Sequence, residues 1–164
     1  MKRYTVLGLT AGVMLLGAGA NSTARADEIL KWRHVQHNQS VQSLDVGDVN
    51  GHSLYLYQLP GIAFFPDGST GTTMVIGTSD LTNGSGTNSG YSILTLSDGS
   101  ALFMKYSGTN HVEGTKSPRR GTFTVIGGKG RYEGAKGDGT WEGDGTRSGP
   151  AAIIYIDNVI NLKK

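Results

Sequence analysis

Only a few residues in this sequence have the type and spacing that catalysis would need. Glu113, Glu133, Glu142 and Asp157 could donate or accept protons, but nothing in their spacing pairs two of them into an acid and a base. The chain has no cysteine, which excludes disulfides, thiolate metal sites and a cysteine nucleophile. It also lacks a G-x-S-x-G motif, so a serine hydrolase of the α/β type is excluded.

The histidines do not predict a metal site. His34 and His37 form an H-x-x-H pair in a segment that we expect to be a strand, where this spacing places them on opposite faces. His52 and His111 are distant from this pair in sequence. Residues 45–51 (DVGDVNG) resemble a calcium loop only superficially, because the EF-hand register would lack two essential carboxylates. We therefore expect a solvated turn there and no bound metal.

Aromatic and acidic side chains inside predicted strands are the candidates for contact with a small molecule. A tyrosine offers an apolar ring together with a hydroxyl that can donate or accept a hydrogen bond. The candidate ligand-binding residues are Tyr55, Tyr57, Tyr106, Glu142 and Tyr155. Each could equally be an ordinary residue of the core or of the outer surface, and both interpretations stay open.

The elements that carry these residues are short β-strands. Glycine supplies 26 of the 164 residues and no long run of helical period occurs, which favours an all-β fold. Between the predicted strands, Asp98-Gly99 indicates a tight hairpin turn, and the polar segment 82–90 (TNGSGTNSG) indicates a connection. The predicted strands are residues 29–37, 52–65, 72–78, 91–96, 101–106, 121–126, 135–142 and 151–161.

Side-chain alternation along the strands favours a closed barrel. In the last strand Ile154, Ile156 and Ile160 share one face, while Tyr155 and Asp157 share the other. Both faces of several strands are apolar, which fits a barrel whose lumen and outer wall are covered by a ligand or by neighbouring subunits. A sandwich with an oligomer interface fits the same pattern. Self-association into a homo-oligomer is compatible with either fold.

The segment 127–137 (GGKGRYEGAKG) is the most distinctive in the chain. It resembles the signature of the allene oxide cyclase and dirigent proteins, in which Gly-Gly-x-Gly ends a strand, an aromatic follows and a second glycine pair starts the next strand. The matching residues are Gly127, Gly128, Gly130, Tyr132, Gly134 and Gly137. The resemblance implies an eight-stranded antiparallel barrel of the calycin type. We interpret the segment as a structural turn, with φ > 0 at Gly128 or Gly130 and Tyr132 as a plug.

The same glycines do not form a phosphate-binding loop. Glu133 stands where the dinucleotide motif needs its third glycine, and the lysine and hydroxyl residue of a P-loop are missing. We expect no cofactor.

The resemblance also implies what such a barrel does. In those families the lumen holds a reactive, mostly apolar molecule and steers its cyclisation or coupling by fixing its conformation. Because an eight-stranded barrel has room for one small ligand, the leading hypothesis is a barrel that binds a small, largely apolar molecule. The alternatives are a cyclase or isomerase, and a structural or partner-binding module with a packed lumen. No catalytic residue carries over, since the match covers the turn and not the pocket.

The first 26 residues have the features of a cleaved signal peptide. Lys2 and Arg3 precede a weakly apolar run at 5–20, and Ala24-Arg25-Ala26 has the small-x-small pattern of a cleavage site. The run is too short and too rich in glycine to span a bilayer. We therefore expect one mature domain, residues 27–164, that is secreted or periplasmic and does not insert into a membrane.

The charge of the mature chain argues against a polyanionic partner. Residues 27–164 contain 12 basic and 13 acidic residues, a formal net charge of −1. Without a cluster of lysine and arginine there is no general electrostatic reason for the protein to bind nucleic acid.

Overall fold

A computed structural model describes residues 27–145 and 153–163, which form nine β-strands and one turn of 3₁₀ helix at Gly130–Tyr132. The predicted signal peptide at 1–26 lies outside these residues. No helix in the described ranges is long and apolar enough to cross a membrane. The strands are β1 (Glu28–His37), β2 (Ser40–Asp45), β3 (His52–Phe64), β4 (Thr70–Thr82), β5 (Ser85–Leu96), β6 (Ala101–Asn110), β7 (Arg119–Lys129), β8 (Lys136–Gly145) and β9 (Ile153–Lys163).

Eight of the strands close into an antiparallel barrel. They follow one another in the order β1-β9-β8-β7-β6-β5-β4-β3, and β3 then pairs with β1. The closing ladder runs from Arg33 opposite Phe64 to Gln36 opposite Gly61. Closure gives each strand of the ring a partner strand on both sides, so none of the eight is an edge strand. The predicted all-β class and eight-stranded antiparallel barrel are confirmed.

The strand β2 was not expected from the sequence. It continues the line of β1 along the first half of β3, from Ser40 opposite Gln58 to Asp45 opposite Ser53. Its six residues, SVQSLD, are all exposed, so they lack the alternation between buried and exposed positions that identifies a strand in a sequence. The eight-stranded ring therefore carries one extra strand at the end where β3 begins.

The connection predicted at 82–90 is wrong. Here β4 and β5 continue as a paired hairpin up to Thr82 opposite Ser85. Only Asn83 and Gly84 form the turn, with φ of 52° and 83°, the positive values at both central residues that define a type I′ turn. The polar residues of this hairpin lie in long strands.

The turn predicted at Asp98-Gly99, between β5 and β6, is confirmed, since Gly99 donates its N–H to the carbonyl of Leu96.

The barrel interior is a single hydrophobic core that is more tightly filled at one end. Leu94, Leu102, Ile160 and Leu162 are almost completely buried there. Tyr132, on the 3₁₀ turn between β7 and β8, is 1% exposed and belongs to the same cluster. The structure thus places Tyr132 where the sequence predicts a plug, at the end of the barrel opposite the starts of β3 and β7.

The glycines beside Tyr132 are required for two different reasons. Gly130 and Gly134 have φ of 63° and 73°, a left-handed backbone that disfavours side chains. Gly128 does not have positive φ, contrary to one option of the prediction. A Cβ at this position would lie 2.5 Å from the carbonyl oxygen of Tyr132 and 2.7 Å from that of Ala101. Close approach of two chain segments, not left-handed backbone, makes glycine necessary at 128.

Candidate functional site

A cavity of about 270 Å³ lies inside the barrel. It occupies the end at which β3 and β7 begin and β8 ends, opposite the end that Tyr132 fills. Inward-facing side chains form its wall, because alternate residues of each strand point into the lumen. The apolar lining residues are Val41, Leu59, Val75, Leu81, Phe123, Trp141, Ile154 and Ile156.

Three of the five predicted ligand-binding residues line this cavity, namely Tyr55, Tyr57 and Tyr106. Glu142 and Tyr155 do not line it. Glu142 follows the buried Trp141 on β8, and Tyr155 is 48% exposed between two buried isoleucines on β9. The two-residue period of a strand turns both outward, so these two belong to the outer surface of the barrel.

Two tyrosines from different strands meet across the cavity. The hydroxyls of Tyr57 and Tyr106 are 2.7 Å apart and share a hydrogen bond, and Ser79 Oγ donates to Tyr57 Oη at 3.3 Å. Gly77 makes the meeting possible, because any side chain there would overlap the Tyr106 hydroxyl. Burial, assisted by Tyr57, raises the pKa of Tyr106 well above its usual value. The phenol therefore stays protonated and neutral at physiological pH.

Trp141 forms part of the cavity wall, and its ring packs against two glycines. Its six-membered ring lies over Gly108 of β6 and Gly121 of β7, where a Cβ would overlap it. It contacts Tyr106 edge-on, with ring centroids 6.1 Å apart, and Phe123 at 6.5 Å. Such aromatic packing adds stability beyond the area that the rings bury. The three rings give the cavity a rigid apolar wall.

A buried polar network holds His34 in one tautomer. Asn158 Nδ2 donates to His34 Nδ1 at 3.2 Å, and His34 Nε2 is 3.1 Å from Gln36 Oε1. With the two amides oriented in this way, His34 Nδ1 accepts and Nε2 carries the proton. Burial lowers the pKa of His34 to about 4, against a smaller opposing effect of Gln36. His34 and Gln36 line the cavity, so at neutral pH this part of the wall is polar but uncharged.

Arg119 places a cation in the cavity wall. Its Nε donates to the Ser117 carbonyl and its Nη2 to Ser117 Oγ, both at 3.3 Å. Gly145 leaves the space that the guanidinium fills, since a Cβ there would lie 2.8 Å from Nη2. Burial lowers the pKa of Arg119, while Tyr57 and Asp144 act in the opposite direction. A guanidinium remains charged in proteins despite such shifts.

The carboxylates considered as acids or bases lie outside the cavity. Glu113, Glu133, Glu142 and Asp157 are exposed, and Asp157 forms a two-point ion pair with Arg33, at 2.7 Å for both contacts. The described residues that line the cavity include no aspartate or glutamate. Among the same described residues, no group of three or more His, Cys, Asp or Glu could hold a metal ion.

Sequence analysis did not identify most of the lining residues, among them Arg119, Phe123 and Trp141. For the two on β7 a signal was present. The alternation that places Phe123 and Val125 inward on β7 also places Arg119 inward. The predicted strand began at residue 121 and so left Arg119 out.

No protein-family model matches this sequence, and no curated protein matches it. Solved structures do match. The pterocarpan synthase dirigent protein GePTS1 superimposes with a TM-score of 0.53 at 12% identity, covering 85% of this chain and 87% of that one. The pterocarpan synthase dirigent protein PsPTS1 gives 0.50 at 14% identity, covering 86% and 98%.

Likeness at this level of identity concerns the course of the backbone. Both matches extend over most of the barrel and most of the dirigent chains, in agreement with the resemblance carried by residues 127–137. The chain has the eight-stranded antiparallel β-barrel fold of the dirigent proteins.

Proposed function

We propose that the barrel binds a small, largely apolar molecule in its lumen. The cavity between Tyr57, Trp141 and Ile156 is the observation that carries this proposal. A concave, mainly apolar wall with a few polar groups is typical of small-molecule sites. The open space also counts against a structural module with a packed lumen.

The size of the cavity limits the ligand. At roughly 30 Å³ per water-sized group, a volume of about 270 Å³ holds on the order of ten non-hydrogen atoms, or more if part of the ligand extends through the opening. Burying about 300 Å² of apolar surface contributes roughly 7 kcal/mol. Association costs several kcal/mol, so we expect an affinity nearer micromolar than nanomolar.

Filling the cavity should abolish binding. Ser79 points into the lumen and is 7% exposed, so the ring of a Ser79→Phe variant would occupy the ligand space. Thr78→Phe is the matched control, because Thr78 is the preceding residue on β4 and faces solvent. A panel of short fatty acids, monoterpenoids and phenolics, measured by calorimetry and by quenching of tryptophan emission, tests both variants.

We expect at least one compound to bind the wild type and Thr78→Phe equally, and to bind Ser79→Phe at least about tenfold more weakly. Equal binding by both variants would place the ligand outside the lumen. If no compound binds and the protein purified from its own host carries no small molecule in native mass spectrometry, the proposal is wrong.

A second candidate, a cyclase or isomerase, is favoured by the Tyr57–Tyr106 hydroxyl pair. A protonated phenol in a water-poor cavity can donate to a developing negative charge on a bound substrate, and a rigid wall can hold one reactive conformation. Both dirigent proteins that superimpose on this chain are named pterocarpan synthases. Chromatography of each incubated ligand would reveal an isomer of unchanged mass, and Tyr106→Phe should remove it.

We further propose that the chain is exported by cleavage after Ala26, and so is secreted or periplasmic. Strand β1 begins at Glu28, so this cleavage would leave the barrel complete. N-terminal sequencing of exported protein should begin Asp-Glu-Ile-Leu; a chain that retains Met1 in the membrane fraction would contradict the proposal.

Self-association is also a proposal. It is supported by Leu56 and Ile62, each 51% exposed on the outer face of β3.

A further inference from the structure

The cavity has an unbalanced charge. Among the described lining residues, Arg119 is the one that carries a permanent charge, and none is an aspartate or glutamate. His34, the one histidine among these lining residues, is neutral at pH 7 because burial lowers its pKa to about 4. A cation held in a largely apolar wall without a carboxylate in direct ion-pair contact is costly, and an anion that joins it lowers that cost.

The hydrogen-bond partner of Arg119 within the described residues carries no charge. Its two hydrogen bonds are long and go to the uncharged Ser117. The carboxylate of Asp144 is close enough to favour the charged guanidinium but forms no ion pair with it in the described ranges. Asp144 Oδ1 instead accepts the backbone N–H groups of Ser117 and Gly145, both at 2.8 Å. Several N–H groups of the guanidinium thus remain for a further acceptor.

The wall around Arg119 changes from polar at the opening of the barrel to apolar deeper in the lumen. On β7 the inward positions run from Arg119, at the start of the strand and the open end of the barrel, past Gly121 to Phe123. Two strands away in the ring, Ile154 and Ile156 of β9 extend the apolar wall. A ligand that fits this wall has a polar head at the opening and an apolar body beneath it.

We propose that the ligand of this cavity is a small amphiphilic monoanion whose carboxylate-like head pairs with Arg119 and whose apolar body packs against Phe123, Trp141 and Ile156. The proposal deepens the proposed function and rests on it. A planar guanidinium matches a carboxylate with two parallel hydrogen bonds, and a partly desolvated site strengthens that attraction. The single cation among the described lining residues matches one negative charge on the ligand.

Three ligands with the same chain and different head groups test the proposal on the unmodified protein. Octanoate, 1-octanol and octylamine differ in charge but hardly in size, and about ten non-hydrogen atoms match the cavity. Calorimetry at pH 7.5 should give octanoate an affinity at least about tenfold higher than that of 1-octanol, with octylamine the weakest. This comparison needs no variant and so does not depend on the folding of one.

Variants then assign the preference to one side chain. Arg119→Gln should lower octanoate affinity at least about tenfold and leave 1-octanol nearly unchanged, removing the preference. Arg119→Lys should retain part of it, since the charge remains but the two-point geometry is lost. Arg120→Gln is the matched control, because Arg120 is the next residue on the same strand and faces solvent; it should bind all three ligands like the wild type.

The outcomes separate this inference from the proposed function. If octanoate and 1-octanol bind the wild type equally, if Arg119→Gln keeps the preference, or if Arg120→Gln removes it as fully, the pairing of an anionic head with Arg119 is wrong while lumen binding stands. If none of the three ligands binds while other apolar compounds do, the amphiphile proposal is wrong. If no compound binds at all, both proposals are wrong.

Discussion

Replacing Tyr132 by alanine is expected to lower the free energy of unfolding by about 3–5 kcal/mol, the range for removing a large buried aromatic side chain. Tyr132 is 1% exposed and belongs to the core cluster that fills the closed end of the barrel. Removing its ring leaves a void. The neighbouring strands cannot move in to fill it, because the hydrogen bonds of the barrel hold them apart. Urea denaturation of wild type and variant measures the difference.

Two controls identify the ring as the cause. Tyr132→Phe keeps the ring and loses the hydroxyl that accepts a hydrogen bond from Arg131 Nη2 at 2.8 Å, so it should cost only about 1 kcal/mol. Tyr91→Ala removes a tyrosine that is 50% exposed and should change stability by about 1 kcal/mol or less. If Tyr132→Ala costs no more than Tyr91→Ala, Tyr132 is not the plug of the barrel.

The sequence predicts the barrel well wherever local chemistry and long-range packing agree. Asp98-Gly99 forms its turn because glycine readily adopts the positive φ that the turn needs, and Tyr132 is buried where an aromatic between glycines was expected. The strand β2 could not be predicted in the same way. Val41 and Leu44 in it are exposed, so its position depends on pairing with β3 rather than on a pattern of its own.

The site is less predictable than the fold because it depends on which inward residues meet across the lumen. Tyr57 and Tyr106 are 49 positions apart in sequence, and only barrel closure and the gap at Gly77 bring their hydroxyls together. The direction of a side chain, in contrast, can be read from alternation. The period that turns Ile154 and Ile156 inward already turns Tyr155 outward, and the same count from Phe123 points Arg119 into the lumen.

Adding a methyl group at Gly128 is expected to cost about 3 kcal/mol and to lower the melting temperature by roughly 10 °C. The Cβ of Gly128→Ala would lie 2.5 Å from the Tyr132 carbonyl oxygen and 2.7 Å from that of Ala101. Both obstacles are backbone atoms, one on the 3₁₀ turn and one on β6, so relief requires a shift of the chain rather than of a side chain.

Alanine at Gly130 and at Gly134 separates crowding from backbone conformation. Gly134 has positive φ and open space around it, so Gly134→Ala should cost only about 1–2 kcal/mol, the penalty for a left-handed residue. Gly130→Ala has the same penalty, and its Cβ would also lie 2.5 Å from Ser100 Oγ. The Ser100 side chain can rotate away in part, so the cost of Gly130→Ala should fall between those of Gly134→Ala and Gly128→Ala. Calorimetric melts of the three variants give the order directly. A Gly128→Ala melt within error of wild type would mean that the turn does not pack against Ala101 as closely as these distances require.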